Sequence, residues 1–147
     1  MLRRYFAGGA ILLGAVASSS ASADSQFNLV CVGQEHENSF FGGEHDRPYR
    51  TTYRIDLGAK LYCYEDCQEP MPIEEVTDTR IVFVNKNIDT PSNREIHSSV
   101  IDRRTGSLQV LLSMSTPRRP ETIMINSIKA SCEKAEFTGF PKAATKF

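Results

Sequence analysis

YRIDLGAKLYCYEDC, residues 53–67, joins two alternating segments through a short turn and ends in a close pair of cysteines. Tyr53, Ile55 and Leu57 fall on one side of a two-residue alternation, and Thr52, Arg54 and Asp56 on the other. That period belongs to a strand with one covered face, not to a helix of period 3.6. Gly58-Ala59-Lys60 is a short connection, after which Leu61 and Cys63 alternate with Tyr62 and Tyr64. Four residues of extended chain span about 13 Å, whereas a disulfide needs Cα atoms within about 7 Å. A Cys63–Cys67 bridge therefore requires Tyr64-Glu65-Asp66 to turn.

The same period runs outward from this hairpin. Phe27, Leu29 and Cys31 alternate with Asn28, Val30 and Val32. Pro70 and Pro72 interrupt the chain, and Ile73 to Asp78 has room for one helical turn. RIVFVN, residues 80–85, is a nearly continuous apolar run, which suits a central strand covered on both faces. Residues 87–93 read as a loop. Ile96, Ser98 and Val100 alternate with His97, Ser99 and Ile101, and Asp102-Arg103-Arg104-Thr105-Gly106 is a turn whose glycine can take positive φ. Leu108, Val110, Leu112 and Met114 form the cleanest one-faced stripe. A Pro-braced loop over 116–120 leads to Ile123 and Ile125, and the alternation runs on to Ala130 and Cys132. The expectation is an all-β domain, a small antiparallel meander of 7–8 strands closing into a barrel or sandwich and stapled by disulfides.

The ends of the chain predict export. Arg3 and Arg4 precede an apolar run from Ala7 to Ala17, and Ala21-Ser22-Ala23 fits a cleavage site. The run is short of the ~20 residues of a permanent span. Residues 1–23 read as a signal peptide and 24–147 as a single β domain, periplasmic or secreted, with no membrane span after signal removal. Removing 23 of the 147 residues leaves 124, enough for one core. The signal carries two of the 17 basic residues and no acid, so 15 basic stand against 18 acidic residues, a net charge of −3. A mildly acidic domain disfavours nucleic acid as a partner. Four cysteines in an exported domain read as two disulfides, and of three connectivities the preferred one is Cys31–Cys132 with Cys63–Cys67. A four-Cys zinc site would need a second close pair. Phe147 raises an outer-membrane barrel, but KAATKF lacks the lipid-facing alternation of membrane strands.

EHENSFFGGEHD, residues 35–46, places His36 and His45 each between acidic residues. As weak candidates they offer two imidazoles to a metal; the simpler reading is a mobile hydrophilic loop between the first two strands. Phe40 and Phe41 would then plug a barrel mouth or form a contact patch. His97 is a possible general base with no nucleophile placed beside it by any motif. Arg103-Arg104 and Arg118-Arg119 lie at opposite ends of a strand of about 25–30 Å, too far apart to form one anion site. Prolines stiffen the second pair, so Arg118, Arg119, Phe40 and Phe41 are the candidate binding contacts. Nothing implies a catalytic residue, a resident metal or a cofactor.

At YRIDL, YCYEDC, IDRRTG and the ending SCEKAEFTGFP, the chain resembles small exported bacterial proteins of unknown function, of the alphaproteobacterial kind. That resemblance implies export and no particular activity. In size, export, a cysteine near each mature end and strand rhythm it is also loosely similar to the periplasmic inhibitors of C-type lysozyme, which implies an eight-stranded barrel and an inhibitor-like role. That family's inhibitory Ser-Gly and Tyr-bearing strand and its Trp-containing segment have no counterpart, and Trp is absent, so no inhibitory residue is carried across. The functional expectation is a non-enzymatic binding or inhibitor-like module of the cell envelope, its partner an envelope or extracellular protein. The alternatives are a hydrolase with a dispersed site around His97, or metal binding through His36 and His45.

Overall fold

A sheet with one apolar face must bury it, and here the strands do so by curling around a shared interior. The computed structural model of the chain describes residues 25–116 and 119–141, with the backbone alone over 119–122. The proposed signal, Arg118 and Phe147 lie outside the described residues. Nine strands form: β1 (Gln26–Ser39), β2 (Gly43–Asp56), β3 (Leu61–Tyr64), β4 (Met71–Pro72), β5 (Glu75–Val76), β6 (Arg80–Asp89), β7 (Arg94–Asp102), β8 (Ser107–Thr116) and β9 (Arg119–Ala135). They make one antiparallel sheet in the order β4-β3-β2-β1-β9-β8-β7-β6-β5, curled into a half-barrel.

All neighbours in the sheet but one pair are sequence neighbours; the exception is β1 beside β9. The two ends of that order, β4 and β5, are halves of one segment, Met71–Val76. Met71 and Pro72 pair with β3, and Glu75 and Val76 pair with β6. Between them the Ile73 amide donates to the Lys60 carbonyl (2.8 Å) and the Glu74 amide to that of Val82 (3.0 Å), so the chain itself spans the seam.

The all-β antiparallel meander is as expected, and the strand count reaches nine because Met71–Val76 divides its pairing between two neighbours. Other expectations are corrected; no helical turn forms over residues 73–78. EHENSFFGGEHD is a β-hairpin, not a mobile loop: Glu35 pairs with Arg47 and Ser39 with Gly43, and only residues 40–42 turn. The Pro-braced loop is shorter than expected, because Thr116 already pairs with Arg119. RIVFVN is not in a central strand. It lies beside the two-residue β5, and its register shifts between Val82 and Val84. The bulge inserts an extra residue, Phe83, so that Phe83 is buried and the following Val84 also packs on the core. That is why the run is apolar without alternating.

The core comprises inward residues from both halves of the sheet, among them Phe27, Leu29, Ile55, Ile81, Ile101 and Leu108. At its middle the expected long bridge is present. Cys31 and Cys132 are register partners with Cα atoms 4.0 Å apart, the spacing of directly opposed residues that exchange no hydrogen bond. The Cys63–Cys67 bridge closes across 5.7 Å, and Glu65 takes φ 52° to make the required turn. Gly106, at φ 71°, brings its carbonyl to the Cys132 amide (2.8 Å), and a Cβ there would lie 2.5 Å from the Cys132 carbonyl oxygen. With all four cysteines paired, the chain belongs to an oxidising, non-cytoplasmic compartment. Among the described residues no helix is long and apolar enough to cross a membrane.

The two bridges close loops of very different length, separations of 101 and 4 residues. In the chain-entropy treatment, the Cys31→Ala/Cys132→Ala variant loses about 4–5 kcal/mol and the Cys63→Ala/Cys67→Ala variant about 2 kcal/mol. Urea unfolding checks the ranking; equal losses would contradict it.

Candidate functional site

Inward positions on the upper half of the sheet change character. One row across the strands runs Arg47, Glu35, Ile128, Val110, Ser99 and Val84. The next runs His45, Glu37, Asn126, Leu112, His97 and Lys86. Below them the interior is apolar; here it is half polar. The polar groups face an opening created because β3 ends at Tyr64 and β4 and β5 hold two residues each, while β2 and β6 continue upward.

A cleft of about 330 Å³ fills this space. Its floor is aromatic. The Tyr53 ring stacks on Phe83 at 5.0 Å between centroids and 7° between planes, and Tyr62 lies 4.6 Å from the same Phe83. Tyr49 and Tyr64 rise at the rim, and the hydroxyls of Tyr49 and Tyr53 hydrogen-bond at 3.1 Å. Lys86, His97 and Ser99 come from the β6–β7 wall, and Glu65, which accepts from the Thr51 hydroxyl at 3.3 Å, comes from the opposite side. The tyrosines occupy this position for a local reason. Tyr49 and Tyr53 are four apart on β2 and so share a face; Tyr62 and Tyr64 are two apart on β3 and share it too, with Tyr64 opposite Tyr53. All the tyrosines after Tyr5 therefore meet in one cleft.

Burial raises the phenols of Tyr49 and Tyr53, and pushes that of Tyr62 up to about 12, with the neighbouring Tyr64 and Glu74 adding to the shift. They stay neutral donors and acceptors at physiological pH. On the adjoining wall Glu35 is the charged exception. Its side chain is only 13% exposed, yet Arg47 donates Nε and Nη2 to its two oxygens (2.7 Å each) and Asn126 Nδ2 adds a third bond of 2.6 Å. The Arg47 hydrogen bond is the main reason the carboxyl lies below its usual range. A bidentate, charge-assisted pair of this kind fixes the wall of the cleft in place.

The upper edge of β2 is open to solvent, yet poorly suited to receive another strand. Thr52 shows its carbonyl to that edge, accepting from the Glu65 amide at 3.1 Å. Pro48 is four residues earlier and in the same phase, so the amide hydrogen that proline lacks is missing from the open edge. Proline is a common guard on exposed strands. The cleft is thus better adapted to side-chain recognition of a small molecule than to strand addition.

The predicted site residues are distributed unevenly. His97 enters the cleft with Ser99 on the same strand face. No hydrogen bond joins it to Ser99 or to Glu95, the next inward residue, and neighbouring inward side chains of a strand stand about 6.6 Å apart. His36 and His45 do not meet: His36 pairs across the hairpin with Asp46, and His45 with Glu37, so the two rings project from opposite faces. His36 donates to Asp46 (2.8 Å), while His45 Nε2 donates to the Gly42 carbonyl (2.7 Å). Among the described residues no three His, Cys, Asp or Glu side chains are grouped to hold a metal. Phe40 and Phe41 are not a plug; they are 61% and 85% exposed at the hairpin tip and pack edge to face, 5.2 Å apart. Arg119 opens β9 at the same end of the sheet, where the Phe40 amide reaches the Ile123 carbonyl. The grouping of the tyrosines has a partial signal in the sequence: Tyr49 and Tyr53 are an even number of residues apart on one strand, and Tyr62 and Tyr64 on the next, but only the register that sets Tyr64 opposite Tyr53 puts the two pairs on one face. Comparison of the chain with protein-family models, curated proteins and solved structures finds no match.

Unfolded phenols release protons near pH 10, whereas folded Tyr62 does so only at about 12. A raised pKa of this kind leaves stability intact below pH 10 and erodes it as pH rises toward 12. Tyr62→Phe removes this contribution, so its melting temperature should fall less steeply than that of the parent between these values. Equal slopes in thermal melts would show that the phenol is not held neutral by the fold.

Proposed function

We propose that this chain is a non-enzymatic binding module of the cell envelope, periplasmic or secreted, that takes a small ring-bearing ligand into the tyrosine cleft. The observation that carries the reading is the convergence of four tyrosines with Lys86, His97, Ser99 and Glu65 in one concave opening. Apolar and aromatic walls with a few convergent polar groups are the usual form of a small-molecule site. Tyrosine suits the task because it offers a large rigid face and one hydroxyl at small entropic cost. Donors (Lys86, Ser99) on one side and an acceptor (Glu65) on the other, with the phenols as neutral donors and acceptors beside Glu65, favour a ligand that presents both kinds of group.

The non-enzymatic reading draws support from His97, which among the described residues has no hydrogen-bonded nucleophile to activate; a general base works within about 2.6–3.2 Å of the proton it removes. With no Trp in the chain, tyrosine emission reports on the cleft directly. A screen of ring-bearing compounds by that emission should yield binders that Tyr64→Ser and Lys86→Gln each weaken by about tenfold, the loss expected for one stacking or charged contact. A screen without binders, or binders indifferent to both substitutions, would refute the cleft as a recognition site.

An inhibitor-like form of the same module is favoured by the hairpin tip. Phe40 and Phe41 project from a hairpin braced by the Glu35–Arg47 pair, a shape suited to wedging into another protein's cleft. The loose similarity to inhibitors of C-type lysozyme makes that enzyme the first to assay. Inhibition lost in Phe40→Ser/Phe41→Ser at unchanged melting temperature is the outcome this form requires; activity untouched by the parent protein rules that target out.

A further inference from the structure

The end of the half-barrel opposite the hairpin tip holds a second chamber, separated from the tyrosine cleft by the Cys31–Cys132 layer. Its volume is about 390 Å³. Phe27, Leu29, Ile81 and Ile101 form an apolar floor, and Arg103, Arg104 and Lys134 stand around the mouth. The two arginines come from the β7–β8 turn and the lysine from the end of β9, so tertiary pairing alone unites them.

Three features make this mouth more than a solvated turn. Arg103 is anchored by its backbone, whose amide donates to the Thr79 carbonyl (2.8 Å), and by its guanidinium, which donates Nη1 to the Thr77 carbonyl at 2.6 Å. Its remaining guanidinium donors are held in place without a carboxylate. Asp102, the neighbour of Arg103 in sequence, accepts from the amides of Arg104 and Thr105 at 2.8 and 2.9 Å, so its carboxylate is engaged by the turn. Neither arginine is in a salt bridge among the described residues. Lys134 Nζ lies 5.0 Å from the Phe27 ring centroid, so the cationic rim and the apolar floor are continuous. All this sits on a chain whose net charge is −1.

We infer that this chamber binds a monomeric anionic amphiphile, its alkyl or aromatic body on the apolar floor and its carboxylate or phosphate head among the three cations. Inorganic anions would leave the floor unfilled, and neutral chains would leave the guanidiniums unused, whereas a planar guanidinium matches either oxyanion head by paired hydrogen bonds. The inference is independent of the tyrosine cleft and of the ligand proposed for it.

Calorimetric titration of the full chain with decanoate and with decyl phosphate tests it, with decanol, inorganic phosphate and vesicles of anionic phospholipid as the other arms. Expected is one site for decanoate or decyl phosphate, with decanol and inorganic phosphate weaker by about tenfold or more. Arg103→Gln/Arg104→Gln should remove binding at unchanged circular dichroism, and Tyr64→Ser should leave it intact with tyrosine emission unmoved. Should the double variant not fold, Lys134→Gln at the end of β9 must weaken binding in its place. The proposal is overturned by equal affinity for decanol, by indifference to the arginine or lysine substitutions, by loss of binding in Tyr64→Ser, by binding to vesicles alone, or by no binding at all.

Discussion

The pairing of β1 with β9 joins the two halves of the sheet. Each other contact in the sheet is a hairpin or a near-local return, cheap in loop entropy. This one brings together residues about a hundred apart, and the Cys31–Cys132 bridge spans a separation of 101 at its centre. Without it the sheet would be a flat meander with two exposed edges and no enclosed interior. With it β1 and β9 become central strands, and the curl brings β2 and β6 close enough for Tyr53 to stack on Phe83. Two close steric fits support the joint. A Cβ at Gly33 would lie 2.1 Å from the Lys129 carbonyl oxygen, and Gly106 approaches the Cys132 backbone almost as closely.

The same layer divides the interior. Below it Phe27, Leu29, Ile81 and Ile101 face a basic mouth; above it a tyrosine floor faces Lys86, His97, Ser99 and Glu65. Two of the charges near the interior have specific partners. Glu35 receives three hydrogen bonds from Arg47 and Asn126, and Arg103 donates to a backbone carbonyl. A buried carboxylate with its partners missing would be strongly unfavourable. The polarity of the upper rows is therefore held in a fixed arrangement and is not a defect in an apolar core.

The lateral opening arises from a deficit of chain. Residues 61–76 supply only eight strand residues in three pieces, against fourteen in β2 and ten in β6. Where that wall is missing, the upper parts of β2 and β6 have no strand neighbour on that side. An open edge invites aggregation unless it is blunted, and the charged residues from Glu44 to Arg50, with Pro48 among them, blunt it. A cleft can persist there without recruiting another copy of the sheet.

Much of this was legible residue by residue. Alternation in YRIDL and in the stripe from Leu108 to Met114 marked strands and a shared face, and in LYCY it marked a strand alone, since Tyr62 and Cys63 are both buried. The turn at Gly106 and the bend imposed by Cys63 and Cys67 followed from backbone geometry. RIVFVN misled because a bulge mimics the pattern of a strand buried on both sides. EHENSFFGGEHD misled because charged side chains hide a hairpin whose order comes from cross-strand pairs such as Glu35 with Arg47. Local pattern carries which residues extend, where they turn, and which neighbours on a strand share a face. Long-range pairing is needed to bring Arg103 and Lys134 to one mouth and the tyrosines of β2 over Phe83. Such meetings depend on the curvature and register of the closed sheet, and these are set by long-range pairing that no local period encodes.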